Sequence, residues 1–532
     1  MDVILGGGGI RFLQGLLSAA PTLIIGLFVA AVLKFYLRSE GTRKLFGGSS
    51  LRALPQAWAV GMLLPVCSIG VIPIIREMRR QGIRPGAITA FALSAPLFNP
   101  LSLLYGLTLS RPFVIIGFAL GSLLIVTVLG LVWDRAARDN QGEVGRDSTS
   151  IGLKRLAACA IHMMRELAGP SGAYFLLAGA GLFVLGAILP HGALQSEVEQ
   201  LDPMAPIKMA AASLLIYATP ILAMSQLGMM FDHGNSPGSA FVLLLLGTGV
   251  NLATLVWIQR NFGLRATALW GLVLMVCVLG VAYAVERPLI PPGVEPAGHT
   301  HAFDIYTNPL HSGDPISLAV MEKEFEKNIG IFEWIAAGIA IFMAVVGGIF
   351  QLVGAERLRL WLESDEVTAR EVDKKGLHQH VSSRTVGLTC LVGLVVLSVV
   401  GCYAFYPAPD ECLEEMRLAR TEVLSGIVSK DYERANRWIP ILEGWSRKLE
   451  VGYAIRRFEL RPYQQMQGFL LRKKLELAEH AMEHAAEFSE AAETDPEAAE
   501  HLQEELGELK ELREEISANA GRLRRCFESA GS

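Results

Sequence analysis

Charge is scarce in this 532-residue chain: only 19% of its residues are Asp, Glu, Lys or Arg, while 52% are hydrophobic and the mean hydropathy is +0.39. A soluble multidomain chain of this length needs more charged surface, so the composition points to a membrane protein. The scarcity is also uneven. Of the 99 charged residues, 44 fall in the last 123 positions, which leaves residues 1 to 408 still more apolar and sets a soluble tail behind them. Basic excess is missing too. A formal net charge of −5 excludes a nucleic-acid partner, which would demand a basic face. The seven cysteines, at 67, 159, 277, 390, 402, 412 and 526, contain no Cys-x-x-Cys pair, which removes zinc ribbons and thioredoxin-type motifs. Nothing in the pattern calls for a cofactor or a resident metal.

What the chain has in abundance is apolar run length. A hydrocarbon core about 30 Å thick takes roughly 20 residues of helix. Eight runs meet that length, near 12–33, 87–108, 113–132, 172–189, 239–258, 266–285, 331–353 and 386–406. Two further apolar stretches, 54–75 and 208–230, carry helix breakers, among them Pro55, Gly61, Pro65, Gly70 and Pro73 in the first. Such residues survive at membrane depth only where protein or a cavity re-satisfies the freed backbone. The loops on either side of 54–75 are both basic, with Lys34, Arg38, Arg43, Lys44 and Arg52 before it and Arg76, Arg79, Arg80 and Arg84 after it. Because basic short loops stay cytoplasmic, 54–75 is expected to enter and leave on one side as a re-entrant hairpin. A kinked but complete span is the alternative.

The chain also repeats itself. Pro85, Gly86 and Asn99 recur as Pro237, Gly238 and Asn251 at a constant offset of 152 residues, and at that offset the two breaker-rich stretches overlie each other. With three crossings per half the second copy is inverted. This transporter architecture places the substrate site at the repeat interface, between broken helices near the midplane.

At these residues the sequence resembles the predicted bacterial permease family that includes the organoarsenical exporters, over about residues 10–285. The first-half motif reads Pro65, Cys67, Ser68, Gly70, Val71, Ile72 and Pro73, then Ser94, Ala95, Pro96, Asn99 and Pro100; the second-half motif reads Pro220 and the small-residue run Gly247 to Asn251. Ile69 stands where the family pattern has a second cysteine. The resemblance implies a multi-pass inner-membrane permease that moves a small solute, with export of a metalloid or neutral compound as the implied direction and cargo. The substrate-lining candidates are Cys67, Ser68, Gly70, Pro73, Ser94, Pro96, Asn99, Pro220 and Asn251.

Asn99 and Asn251 bring amide donors and acceptors into apolar runs without charge, which suits a gate or a solute ligand. The competing reading is that each merely bonds backbone freed by a nearby proline and glues helices together. Cys67 is either a soft ligand, with Met224 a conceivable partner, or a small packing residue. No charged residue lies well inside the eight runs, so the usual carboxylate proton relay is missing and neutral cargo fits better.

The expected organisation is an all-α polytopic protein: permease repeats at 1–150 and 151–286, an extramembrane linker at 287–330, two added spans within 331–408 and a soluble helical domain at 409–532. The linker carries His299, His301, Asp304 and His311 at a spacing unlike any standard metal site, and a solvated loop is expected there. The tail shows helical periodicity and no catalytic constellation, which argues against an enzyme. It offers a surface for a protein partner or self-association. The alternative function is thus a transporter-like sensor or scaffold whose tail recruits that partner. If the tail faces an oxidising compartment, Cys412 and Cys526 could close a loop of about 115 residues.

Overall fold

The computed structural model describes residues 2–48, 52–109, 112–137, 153–190, 192–195, 197–200, 202–290, 300–310, 324–325, 329–352, 383–491 and 496–528. All regular structure among them is helical, and the chain is an all-α polytopic membrane protein. The described residues fall into two compact units, 1–103 with 113–398, and 104–112 with 399–532.

The first unit opens with α1 (Asp2–Val32), which runs through a π turn (Leu33–Leu37) into α2 (Arg38–Leu45). The helix begins ten residues before the apolar run at 12–33 and so draws Arg11 inside. Arg11 is buried and satisfied: Nε donates to the Thr307 carbonyl at 2.8 Å, Nη2 to the Asp304 carbonyl at 2.9 Å, and Nη1 lies 3.4 Å from Glu324. A buried cation with carbonyls and a carboxylate around it can stand at this depth, whereas a bare one could not.

Then come α3 (Ala53–Leu63), α4 (Val71–Arg80), α5 (Pro85–Ser94), α6 (Pro100–Thr108) and the long α7 (Pro112–Ala136). After α8 (Leu153–Leu167) and α9 (Pro170–Ile188), the same order returns as α10 (Ala205–Ser213), α11 (Pro220–Asp232), α12 (Pro237–Val242, continued by a π turn to Thr248), α13 (Leu252–Phe262) and α14 (Leu264–Glu286). Each element of the second series starts within three residues of its partner shifted by the 152-residue offset. Proline recurs at the helix starts, at Pro85, Pro100, Pro112, Pro220 and Pro237, where its missing N–H costs nothing.

Two apolar runs, 87–108 and 239–258, are not continuous spans. The first is interrupted between Ser94 and Pro100, and the second bends by 59° between Thr248 and Leu252. The cause is the Pro96–Asn99–Pro100 cluster in one half and the Gly247–Gly249–Asn251 run in the other. Five helices remain long and apolar enough to cross a bilayer, and the bent pair brings the number to six among the described residues. One of the five is α15 (Ile331–Leu352), which packs on α8 and α1. The apolar run at 386–406 lies in a helix, α16 (Ser383–Phe405). Large apolar side chains on these helices face outward, as with Leu120 (60% exposed), Val276 (63%) and Phe342 (62%), a surface that only a lipid environment tolerates.

The second unit is a helical bundle of α17 (Pro409–Ser429), α18 (Tyr432–Arg457), α19 (Pro462–Ala491) and α20 (Pro496–Glu528). Met416, Val423, Leu442, Leu475, Met482 and Ile516 form its core. Cys412 and Cys526 both border that core, yet each is a free thiol. Burial pushes the Cys412 thiol up to about 11 and raises Cys526 as well.

Candidate functional site

The break between α3 and α4 is where the candidate residues begin to meet. Leu64 turns extended at ψ 128°, and Cys67 then serves the first turn of α4. Its carbonyl accepts from Val71 N at 2.9 Å and its Sγ from Gly70 N at 3.4 Å. α1 lies on this turn backbone to backbone. A Cβ at Gly26 would come within 1.9 Å of the Gly70 carbonyl oxygen, and one at Gly70 within 2.4 Å of the Thr22 carbonyl, so only glycine fits at either place. That approach carries Thr22 Oγ1 to 2.7 Å from Cys67 Sγ. The thiol is therefore occupied by two local partners. Pro73 follows on the first turn of α4, where it is tolerated.

Asn99 and Asn251 play matching roles. Asn99 Oδ1 accepts from Ser102 N at 2.7 Å while Ser102 Oγ accepts from Asn99 N at 2.9 Å, a reciprocal cap on α6. Asn251 Oδ1 accepts from Thr254 N at 2.8 Å and caps α13. The two differ in reach. Asn251 Nδ2 also donates to Ser68 Oγ at 2.9 Å, a fully buried bond that joins the second half to the first.

The break between α10 and α11 closes the arrangement. Thr219 Oγ1 caps α11 ahead of Pro220, and Tyr217, two residues earlier, brings its buried hydroxyl beside Cys67 and Thr22 without a well-aligned hydrogen bond of its own. Ile216 packs on Gly247, Gly249 packs on the Leu93 carbonyl and Leu97, and Ser94 with Ala95 packs on Gly61 of α3. The four breaks thus touch in a ring: Cys67 and Ser68, Tyr217, Gly247 to Asn251, and Leu93 to Leu97. Of the candidates, Cys67, Ser68, Gly70 and Asn251 form the polar arc of this ring. Ser94 and Pro96 lie on its apolar side, Asn99 ends that same break, and Pro220 only starts α11.

Next to the ring, the segment 300–310 is packed into the first unit instead of being solvated. Phe303 and Tyr306 of its 3₁₀ turn (His301–Tyr306) are fully buried. Gln226 of α11 donates to the Ala302 carbonyl at 2.8 Å and exchanges hydrogen bonds with the Tyr306 hydroxyl at 3.0 and 3.1 Å. His301 Nδ1 lies 2.7 Å from Asp304, whose carboxylate also accepts from Gln195 at 3.0 Å. His299 and His311 lie outside the described residues.

Sequence reading missed Thr22, Tyr217, Gln226 and Tyr306, since nothing marks a lone hydroxyl or amide in an apolar run. It also missed a legible pair. Asp134 Oδ1 accepts from Gly86 N at 2.8 Å and pairs with Arg84 at 3.2 Å; Glu286 Oε2 accepts from Gly238 N at 2.7 Å and from Ser236 Oγ at 2.8 Å. All of these positions stand at the same 152-residue offset, so the repeat extends to carboxylates that cap α5 and α12.

Residues 12–286 match a family model described as a predicted permease. The chain is 25% identical over 289 residues to the UPF0718 protein YcgR of Bacillus subtilis (strain 168), covering 52% of this chain and 95% of the relative. It is 24% identical over 267 residues to the UPF0718 protein YraQ of Escherichia coli (strain K12), covering 48% and 74%. A shorter likeness, 23% over 92 residues, is to a putative two-component membrane permease complex subunit of Streptococcus mutans, covering 17% and 31%. No solved structure matches. With the model match spanning more than half of the chain and several apolar helices built to cross a bilayer, this protein belongs to the predicted permease family and is a multi-pass membrane permease.

Proposed function

We propose that the ring of four broken segments is the solute site of an alternating-access permease whose two halves are inverted copies. The observation that carries this reading is the buried Asn251–Ser68 bond, which ties the capped start of α13 to the break before α4. Moving one repeat against the other would open that bond, and a solute hydroxyl or amide could take its place. Inversion is supported by neighbours at the loops: Gln81, at the exit of the first hairpin, donates to the Leu33 carbonyl at the end of α1, and Ser236 N donates to the Val198 carbonyl in the loop after α9.

The arc offers hydroxyls, an amide, a phenol and one thiol, and no carboxylate or ammonium. A small neutral or weakly polar solute suits such a set, with Cys67, Ser68, Gly70 and Asn251 nearest to it and Pro73, Ser94, Pro96, Asn99 and Pro220 shaping the breaks. Export, and a metalloid as cargo, rest on the resemblance to organoarsenical exporters. Purified protein in proteoliposomes, tested with metalloids, thiols and small neutral solutes, should move at least one of them. Flux that survives both Asn251→Leu and Ser68→Ala unchanged would move the site elsewhere.

The Streptococcus mutans relative is described as a complex subunit, which supports a protein partner for this chain, and the soluble bundle at 409–532 offers the surface for it or for self-association. Deleting 410–532 should spare flux in proteoliposomes and abolish co-purification of such a partner. A sensor or scaffold would instead lose its output on that deletion and show no flux in either form.

A further inference from the structure

The helices that start at the ring end at a second, unassigned place. α4 runs from the Cys67–Gly70 turn to Arg80, and α13 runs from its Asn251 cap to Phe262. At about 1.5 Å per residue, their far ends lie roughly 13 to 15 Å from the ring. There they enclose, with the first turn of α9, a cavity of about 530 Å³ lined by Arg76, Arg79, Arg80, Arg260, Tyr174 and Trp257 among others. No carboxylate stands among the described residues that line it.

The arginines are held in place by the fold. Glu166 takes Arg76 at 3.2 Å and Arg80 at 3.1 Å, and also accepts from Ser171 Oγ at 3.0 Å. Glu77 takes a second contact from Arg80 at 3.4 Å. Arg79 donates to the Asn261 carbonyl at 3.2 Å and stacks on Phe262 at 4.5 Å. The Arg76 contact to Glu166 is made through Nη1, a buried nitrogen. Two carboxylates against four guanidinium groups leave a net positive wall, and the α9 amino terminus adds its positive dipole end.

We propose that this cavity binds a phosphate-bearing organic anion. The forked guanidinium donors suit tetrahedral oxyanions, and the volume with its Tyr174 and Trp257 walls leaves room for an organic body beside the charged group. The proposal rests on this cavity alone and stands whether or not the ring is the solute site. The same chemistry is available from a soluble phosphate ester or from the head group of an anionic lipid.

Equilibrium dialysis of the full-length protein in neutral detergent against radiolabelled inorganic phosphate, with glycerol phosphate as competitor, tests the soluble source. Nanodiscs of phosphatidylcholine with and without phosphatidylglycerol, read by native mass spectrometry for retained lipid, test the other. Saturable phosphate binding displaced by glycerol phosphate, or selective retention of phosphatidylglycerol, is expected. Arg260→Ala and Arg79→Ala should each weaken the signal by about tenfold, as for loss of one charge-assisted contact, and Arg260→Lys should restore part of it. Thermal melting and gel filtration identify a variant that has simply unfolded, and Arg260, on the exposed end of α13, is the safer of the two. Absence of binding in both systems, or binding unchanged in a folded Arg79→Ala, Arg260→Ala double variant, overturns the proposal.

Discussion

Asn99 and Asn251 share a cap but not a partner, and substitution can separate the two duties. Serine at position 99 still caps α6, whereas Asn99→Ala should cost about 1 kcal/mol of stability. At position 251, Asn251→Ser keeps a neutral cap on α13 and loses the donor to Ser68. Flux in proteoliposomes should therefore drop severalfold in Asn251→Ser, with a smaller melting loss than in Asn251→Ala. Equal melting losses in Asn251→Ser and Asn251→Ala, with flux kept, would mean that the Ser68 bond serves the fold alone. Cys67 allows a similar test. Serine can accept from Gly70 N and share a hydrogen with Thr22 as the thiol does, so Cys67→Ser should fold and carry neutral solutes at close to the native rate. A selective loss of arsenical transport would return the thiol to ligand duty.

The helices show what was legible in the sequence and what was not. Proline and glycine marked the breaks within 54–75 and 208–230, because those residues act on the backbone in any context. Run length alone misled at 87–108 and 239–258: apolar composition reports burial in lipid or protein and says nothing of continuity. The caps Asp134 and Glu286 sit at helix ends, where charge reads as a loop signal, and only the offset distinguishes them from ordinary flanks. Asp134→Ala and Glu286→Ala should each lower stability by about 1 to 2 kcal/mol, and nearly additively, since they cap different helices. Detergent melting of the single and double variants checks both statements. The insertion of 300–310 was not legible at all, because Phe303 and Tyr306 are too few to show periodicity and their pocket is built by distant helices.

At the scale of the whole molecule, the tail bundle carries its own pH dependence. Loss of hydration around Glu443, with Glu479 nearby, pushes its carboxyl up to about 8. A carboxyl raised above its unfolded value near 4.5 favours the fold fully below that value, and the contribution is lost as pH rises through about 8. The bundle in the full-length protein should thus melt lower at pH 9 than at pH 5, and Glu443→Gln should flatten that difference. An unchanged slope in the variant would exclude Glu443 as its source. The permease half has a different dependence, on time. Ser68 waits for a partner 183 residues further along the chain, and Gln226 waits for Tyr306. At a synthesis rate of about 5 to 20 residues per second, the first wait lasts roughly 10 to 40 s. During it the Ser68 hydroxyl lacks its Asn251 partner, while the turn around Cys67 already has α1 packed on it at Gly70. A nascent chain stalled before residue 251 therefore holds half a site in which the Ser68 hydroxyl still lacks its Asn251 partner, a state open to membrane proteases.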